Sequence, residues 1–217
     1  LKSKKNLNSH LLKNLNTIGV PNNLKNTIYP FKYNDFETLK EIVERKKIGV
    51  ICMEVMRNEE PKKNFLQKVR KLATKKGIVL IFDECTSGFR KNFGGLHLEY
   101  GVIPDIAIFG KALGNGYAIN AVIGKKDVME NAQRSFISST FWTERIGPAA
   151  ALATLEEMER VKSWKIINNN GLKIMELWNK LSKTHNIKIR ISGLPALSSF
   201  SFESKNSQKY KTLITQE

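Results

Sequence analysis

"IVLIFDECTSGFRKNFGGLHLEYGVIPDIAIFGK", residues 78–111, holds two short apolar runs, and each ends on residues that carry charge or chemistry. Ile78–Phe82 hands over to Asp83, Glu84 and Cys85; Ile106–Phe109 hands over to Gly110 and Lys111. Continuous apolar runs of this length, bounded by turn residues, read as strands of a buried parallel sheet. Lysine is among the residues least often buried without a partner. A strand that delivers one through a glycine therefore needs a chemical reason.

The surrounding chain repeats the pattern. "NDFETLKEIVERKK" (34–47) puts Phe36, Leu39, Ile42 and Val43 on one helical stripe, with Asn34 and Glu37 spaced as a capping box. "IGVICM" (48–53) reads as a buried strand, and "KKNFLQKVRKLATKK" (62–76) as a helix stopped by Gly77 at its C′ position. "IVLIF" (78–82), "DIAIF" (105–109) and "AINAVIG" (118–124) supply three more strands. Strand and helix in this alternation predict an α/β fold with a largely parallel sheet flanked by helices. From "GPAAALATLEEMERV" onward the pattern is helical, and after Gly193 "ALSSFSF" alternates as a strand of a second, smaller unit. In open parallel sheets, ligands collect outside the carboxyl ends of the strands. Glu54, the Asp83–Cys85 group and Lys111 are therefore expected on one edge, where small molecules bind.

Composition narrows the classes. The 217 residues are 41% hydrophobic and 26% charged, as in a globular protein. No apolar run approaches the roughly 20 residues of a membrane helix, and no signal-peptide pattern opens the chain. The net charge of +16 comes from lysines spread over solvated helix faces. Without a basic patch interleaved with aromatics it points to no nucleic-acid partner. Two cysteines, one of them (Cys52) inside a strand, fit a reduced cytoplasmic protein. His10, His97 and His185 lack metal-ligand spacing. Trp142, Trp164 and Trp178 read as packing residues, with Trp142 close enough to Thr140 to line a pocket. "GNG" (114–116) is a tight turn. The start at Leu1 and the end in "KYKTLITQE" lead us to expect a piece of a longer protein.

A carboxylate and a lysine on neighbouring strand ends suit pyridoxal phosphate chemistry. The lysine forms a Schiff base with the cofactor aldehyde, and the carboxylate keeps the pyridine nitrogen protonated so that the ring acts as an electron sink. Gly110 lets the cofactor approach the backbone. A competing reading takes "VLIFDE" as the magnesium-holding strand of an NTPase. It requires a GxxxxGK[ST] loop before that strand, whereas Gly-Lys-Ala stands after it.

Residues 77–129, "GIVLIFDECTSGFRKNFGGLHLEYGVIPDIAIFGKALGNGYAINAVIGKKDVM", resemble the cofactor-binding core of the class III pyridoxal-phosphate-dependent aminotransferases, in particular the branch containing glutamate-1-semialdehyde aminomutase. The resemblance rests on an apolar strand ending in Asp-Glu, a Gly-Phe-Arg turn, a Pro-Asp strand and Gly-Lys-Ala, in that order. It implies fold type I of the pyridoxal-phosphate-dependent transferases. It implies a partial large cofactor-binding domain over 1–160 and the start of a small C-terminal α+β domain over 161–217. Lys111 then matches the Schiff-base lysine, Asp83 the partner of the pyridinium nitrogen, and Cys85 a position where the family has valine against the ring. Within "SSTFWTERIGPAA" (138–150), Thr140 matches the threonine that binds the cofactor phosphate of the neighbouring subunit, which implies a homodimer with shared active sites. Thr86 stands where many relatives have glutamine and the aminomutase branch methionine. Glu54 is followed by Val55 instead of the family's proline, and we take Glu54 and Arg90 as structural. The implied activity is amino transfer from a small-molecule amino donor to a carbonyl acceptor. The runner-up is the intramolecular aminomutase of tetrapyrrole synthesis. A basic binding module without catalysis is a third reading, opposed by the intact Asp83 and Lys111. This stretch alone is expected to be inactive.

Overall fold

The computed structural model describes residues 21–216, except Lys25, Trp142 and the side chain of Asn22. Two residues singled out above, His10 and Trp142, lie outside the described residues. The chain divides into two compact units, one built on two helices with their flanking segments and one holding Val50–Glu60 and the chain from Val79 onward.

The first unit contains α1 (Phe36–Arg45) and α2 (Phe65–Lys76). Leu39 and Val43 of the expected α1 stripe are buried, and Phe36 and Ile42 are half-buried. The cap differs from the one expected. Asp35, not Asn34, closes α1: its Oδ1 accepts from the Thr38 N–H at 3.1 Å and its Oδ2 from the Thr38 hydroxyl at 2.8 Å. Asn34 stands in left-handed backbone, where its Oδ1 accepts from the Lys62 N–H at 2.8 Å, so it ties the entry of α1 to the approach of α2. In α2, Phe65, Leu66, Val69 and Ala73 are buried. Gly77 (φ 64°) ends the helix as expected, and the Ile78 N–H donates back to the Ala73 carbonyl at 2.9 Å.

The second unit is built on a four-stranded sheet in the order β1 (Val50–Glu54), β2 (Val79–Asp83), β3 (Ile106–Phe109), β4 (Ala121–Gly124). The first three strands are parallel, and β4 runs antiparallel to β3. β1 is not buried on both faces as its apolar run suggested. Val50 and Cys52 are exposed while Ile51 and Met53 are buried, so one face of β1 is left uncovered, and among the described residues β1 stands at the edge of the sheet. In β2, Leu80 and Phe82 are fully buried.

A short helix α3 (Lys126–Met129) follows the sheet, and then two long ones, α4 (Ile146–Val161) and α5 (Ser163–Thr184). α4 sends Ala151 into a cluster with Ala107, Phe109 and Leu113. β5 (Ile189–Ser192) and β6 (Ser199–Phe202) pair antiparallel, and α6 (Ser207–Gln216) closes the described chain. Only β6 was anticipated. Trp178 packs edge-on to Phe200 at 5.0 Å and Trp164 on Phe93 at 5.5 Å, so both tryptophans are packing residues. No helix among the described residues is long and apolar enough to cross a membrane.

Candidate active site

The delivery of Lys111 is set by what lies on either side of it. Phe109 and Leu113 are both buried in the cluster that α4 covers, so the chain is pinned two residues before and two residues after the lysine. Between these anchors Lys111 opens a 3-10 turn, Lys111–Leu113, with its side chain exposed. Its φ of 45° lies in the left-handed region, which costs an L-residue about 1–2 kcal/mol and persists only where the surroundings impose it. Gly110 before it is extended, a conformation open to any residue; space is what demands glycine. A Cβ there would strike the Asn120 Oδ1 and come within 3.3 Å of the Cys85 Sγ.

The register brings the other groups to the same edge. Glu54 at the end of β1 faces Asp83 at the end of β2, and Asp83 faces Ile108 of β3. Two carboxylates side by side repel one another, and Arg57 and Lys111 are cations within electrostatic range of Glu54. The Lys111 Nζ donates to the Thr86 hydroxyl at 3.0 Å. Burial pushes the Glu54 carboxyl above the ordinary glutamate range, and Asp83 adds to that, while Arg57, Lys111 and Thr86 oppose it. Asp83 accepts the Cys85 N–H on Oδ1 at 3.0 Å. The Cys85 thiol is held above its usual range by burial first, then by the Asp83 carboxylate beside it. Ordering a long exposed lysine costs about 2 kcal/mol of side-chain entropy. A hydrogen bond to a charged group returns about 1.5–3 kcal/mol. The Lys111–Thr86 contact thus orients the amine and adds little to the stability of the fold.

Behind this open edge stands a sealed one. Strand alternation sends Glu84 to the side opposite Asp83, where it is fully buried. Its Oε2 accepts from the Ser87 hydroxyl at 2.5 Å, and its Oε1 meets both the His97 N–H and the His97 Nδ1 at 2.9 Å. Gly88 follows without room for a side chain, since a Cβ would lie 2.8 Å from the Glu84 carbonyl and from the Phe109 ring. This network locks the turn that carries Thr86. Sequence reasoning missed it, although the adjacent Asp-Glu pair held a signal. On a strand end two neighbouring carboxylates face opposite ways, so one of them must find buried partners.

Asp83, Cys85 and Lys111 are therefore brought together, with Glu54 and Thr86 added. Thr140 is not brought to them. It lies on an exposed turn before α4, and among the described residues no hydrogen bond joins it to the group. The Arg90 carbonyl accepts from the Asn168 side chain, and its Nε is buried without a partner. Lys111 also borders a cavity of about 520 Å³ with Phe89, Arg90, Asn115, Thr154 and Met158, which Asp83 and Thr86 do not line. The carboxylate edge and that cavity are separate features.

Comparison with known proteins bears on this arrangement. Residues 29–217 match the family Aminotransferase class-III. The chain is 36% identical over 207 residues to a 3-aminobutyryl-CoA aminotransferase of Cloacimonas acidaminovorans, covering 91% of this chain and 50% of the relative. It is likewise 36% identical over 190 residues to a glutamate-1-semialdehyde 2,1-aminomutase of Sulfurisphaera tokodaii, covering 84% and 45%. Among solved structures, a β-phenylalanine aminotransferase of Variovorax paradoxus superposes with a TM-score of 0.71 at 27% identity, over 79% of this chain and 42% of that one. A Sphingopyxis protein solved as its PLP internal aldimine form shares the fold with a TM-score of 0.77 at 21% identity, over 82% and 45%. The chain thus spans about half the length of the curated relatives it matches.

Proposed function

This chain belongs to the class-III aminotransferases, and on that premise we propose that it forms the core of a pyridoxal-phosphate-dependent enzyme. The enzyme moves an amino group from a small-molecule amino donor to a carbonyl acceptor. The observation that carries this reading is the Lys111 amine, set by Thr86 at the edge where Asp83 and Glu54 end their strands. The residues suit the cofactor. The space over Gly110 is one a Cβ would fill, and the donor set combines an amine with a carboxylate held by the Cys85 N–H.

Bound pyridoxal phosphate supplies an aldehyde and an electron-withdrawing ring. The chain's own residues do the rest. Lys111 would contribute the nucleophilic amine and would carry the α-proton of the donor as a general base and acid. Asp83 would pair with the ring nitrogen and hold it protonated, a charge pairing that would stabilise negative charge developing during the reaction. Cys85 would pack on the ring as a small, soft group. Thr140, on its exposed turn, serves the phosphate in the active site of a neighbouring subunit, which makes the working unit a homodimer. We read 1–160 as part of the large cofactor-binding domain and 161–217 as part of a small one.

A second reading is favoured by the identity to the Sulfurisphaera relative. An aminomutase uses the same Lys111 and Asp83 but transfers the amino group within one substrate. The test for either is borohydride reduction of the full-length protein loaded with pyridoxal phosphate, followed by peptide mapping. A single label on Lys111 is expected. A label on another lysine contradicts the assignment, because reduction fixes the cofactor only to the amine that holds it.

A further inference from the structure

The cavity beside Lys111 is lined by an arginine whose charge the described protein does not use. Phe89 and Arg90, on the turn after β2, both border it. Phe89 has a φ of 62°, left-handed backbone that a bulky side chain adopts only where its surroundings impose it. Here they do. Its N–H donates to the Gly94 carbonyl at 2.8 Å, and its ring packs on Phe109 at 5.5 Å and on Phe93 at 6.0 Å. Arg90 is held as firmly: its N–H donates to the Ser87 carbonyl at 3.2 Å, and its carbonyl accepts from the Asn168 side chain. The backbone is fixed, and the guanidinium is left over. Its Nε is buried, yet nothing among the described residues accepts from it. A guanidinium stays charged and offers five N–H donors. A buried donor without an acceptor points to water, an ion or a ligand.

The rest of the lining sets the class of ligand. Glu157 is the acidic residue there, and Arg160 neutralises it through two bonds of 2.6 and 2.7 Å. The charges left over, on Arg90 and Lys111, are both positive. Met158, Val161 and Ile167 line the cavity and are only half-buried, so apolar surface stays open to an occupant. The volume of about 520 Å³ falls in the range of small-molecule sites.

We propose that this cavity is a binding site for a small organic carboxylate with an apolar chain, anchored by Arg90. The planar guanidinium matches a carboxylate through two parallel hydrogen bonds, and the apolar wall takes the chain. The site is distinct from the strand-end edge, since neither Asp83 nor Thr86 lines it. It goes beyond the amino-transfer reading and does not rest on it, because nothing in it uses the Lys111 amine.

The experiment is titration calorimetry of the full-length protein with 4-methylvalerate, with acetate and inorganic phosphate as comparison probes. The wild type should bind 4-methylvalerate with a Kd of about 1 mM or tighter. Acetate should bind at least about tenfold more weakly, since each buried methylene is worth about fourfold. Arg90→Lys keeps the charge without the fork, and Arg90→Met keeps the length without the charge; each should weaken binding at least about tenfold. Without ligand, Arg90→Met should have a urea midpoint equal to or above that of the wild type, because it removes a charge that has no protein partner. Three results overturn the proposal: no binding of 4-methylvalerate by about 10 mM, undiminished affinity in Arg90→Met, or tighter binding of phosphate than of 4-methylvalerate. A lower urea midpoint in Arg90→Met also overturns it, by showing that the guanidinium has a partner in the full chain. The titration is then repeated on protein loaded with pyridoxal phosphate. Unchanged affinity supports a site of its own, whereas displacement of the probe shows that the cavity serves the cofactor and overturns the proposal. Borohydride labelling away from Lys111 defeats the enzyme reading and leaves these outcomes untouched.

Discussion

Asp83 and Glu84 are neighbours in sequence and lie on opposite sides of one strand end. Asp83 is half-exposed on the edge shared with Glu54, Thr86 and Lys111, where its Oδ1 accepts the backbone N–H of Cys85. Glu84 has no exposed surface, and three donors from two residues surround its carboxylate. One carboxylate has capacity left for a ligand; the other is used up by the protein. The contrast separates two jobs that a bare Asp-Glu motif does not distinguish. The open face carries charge that a ligand can share, and the sealed face fixes the turn on which the open face depends.

The largest effect that could break this division concerns Lys111. Lys111→Ala in the full-length protein should reduce turnover by at least about a thousandfold, the scale of losing a positioned acid–base group that is also the nucleophile. Folding should be unaffected, because the side chain is exposed. Lys111→Gly sharpens the point. At φ 45° glycine escapes the left-handed penalty, so this variant should be about 1 kcal/mol more stable than Lys111→Ala in urea unfolding and equally inactive. Equal stability of the two variants would mean that the lysine backbone carries no strain.

On the sealed face, His97→Ala should cost about 1–3 kcal/mol of stability, since it removes one of the partners of a buried carboxylate. Cofactor labelling of the folded fraction should remain on Lys111. A variant as stable as the wild type would show that the Glu84 network does not hold the turn.

The smallest expected effect is in the pH dependence of Glu54. Its folded-state pKa lies above its ordinary value of 4.5. The folded protein therefore holds this proton more tightly than the unfolded chain. That contribution to stability is fully present below the ordinary value and is lost as pH rises through the raised one. Glu54→Gln has no such loss. Its stability relative to wild type should improve as pH rises from the ordinary glutamate value of 4.5 through the raised one. A flat difference across that range would contradict the raised value.

How much of this was legible in the sequence depends on the range of the contact. The strands showed themselves because an apolar run ending in a charged residue is a local pattern, and their carboxyl ends located Glu54, Asp83 and Lys111 on one edge. The α1 and α2 stripes and the Gly77 stop were local as well. The α1 cap was misplaced by one residue, since Asn34 and Asp35 both fit a cap and only the contact from Lys62 decides between them. β5 was missed because "IRIS" is too short to show alternation without its partner β6. The Lys111–Thr86 contact spans 25 residues and the Glu84–His97 contact spans 13, so neither leaves a periodic trace. Burial of Glu84 against Ser87 was foreshadowed by strand alternation alone.

The central claim is that adjacent carboxylates divide chemistry from scaffold, and one paired measurement tests it most directly. Asp83→Asn and Glu84→Gln would be compared in full-length protein for urea midpoint and for kcat at saturating pyridoxal phosphate. The account predicts that Asp83→Asn keeps a near-wild-type midpoint and loses kcat by about a hundredfold or more, as expected for a group that acts mainly on the transition state. It predicts that Glu84→Gln lowers stability by about 1–3 kcal/mol, because the replacement amide leaves a buried donor or acceptor unmatched, while the folded fraction keeps most of its kcat. Loss of kcat without loss of stability in Glu84→Gln, or a near-normal kcat in Asp83→Asn, would contradict it.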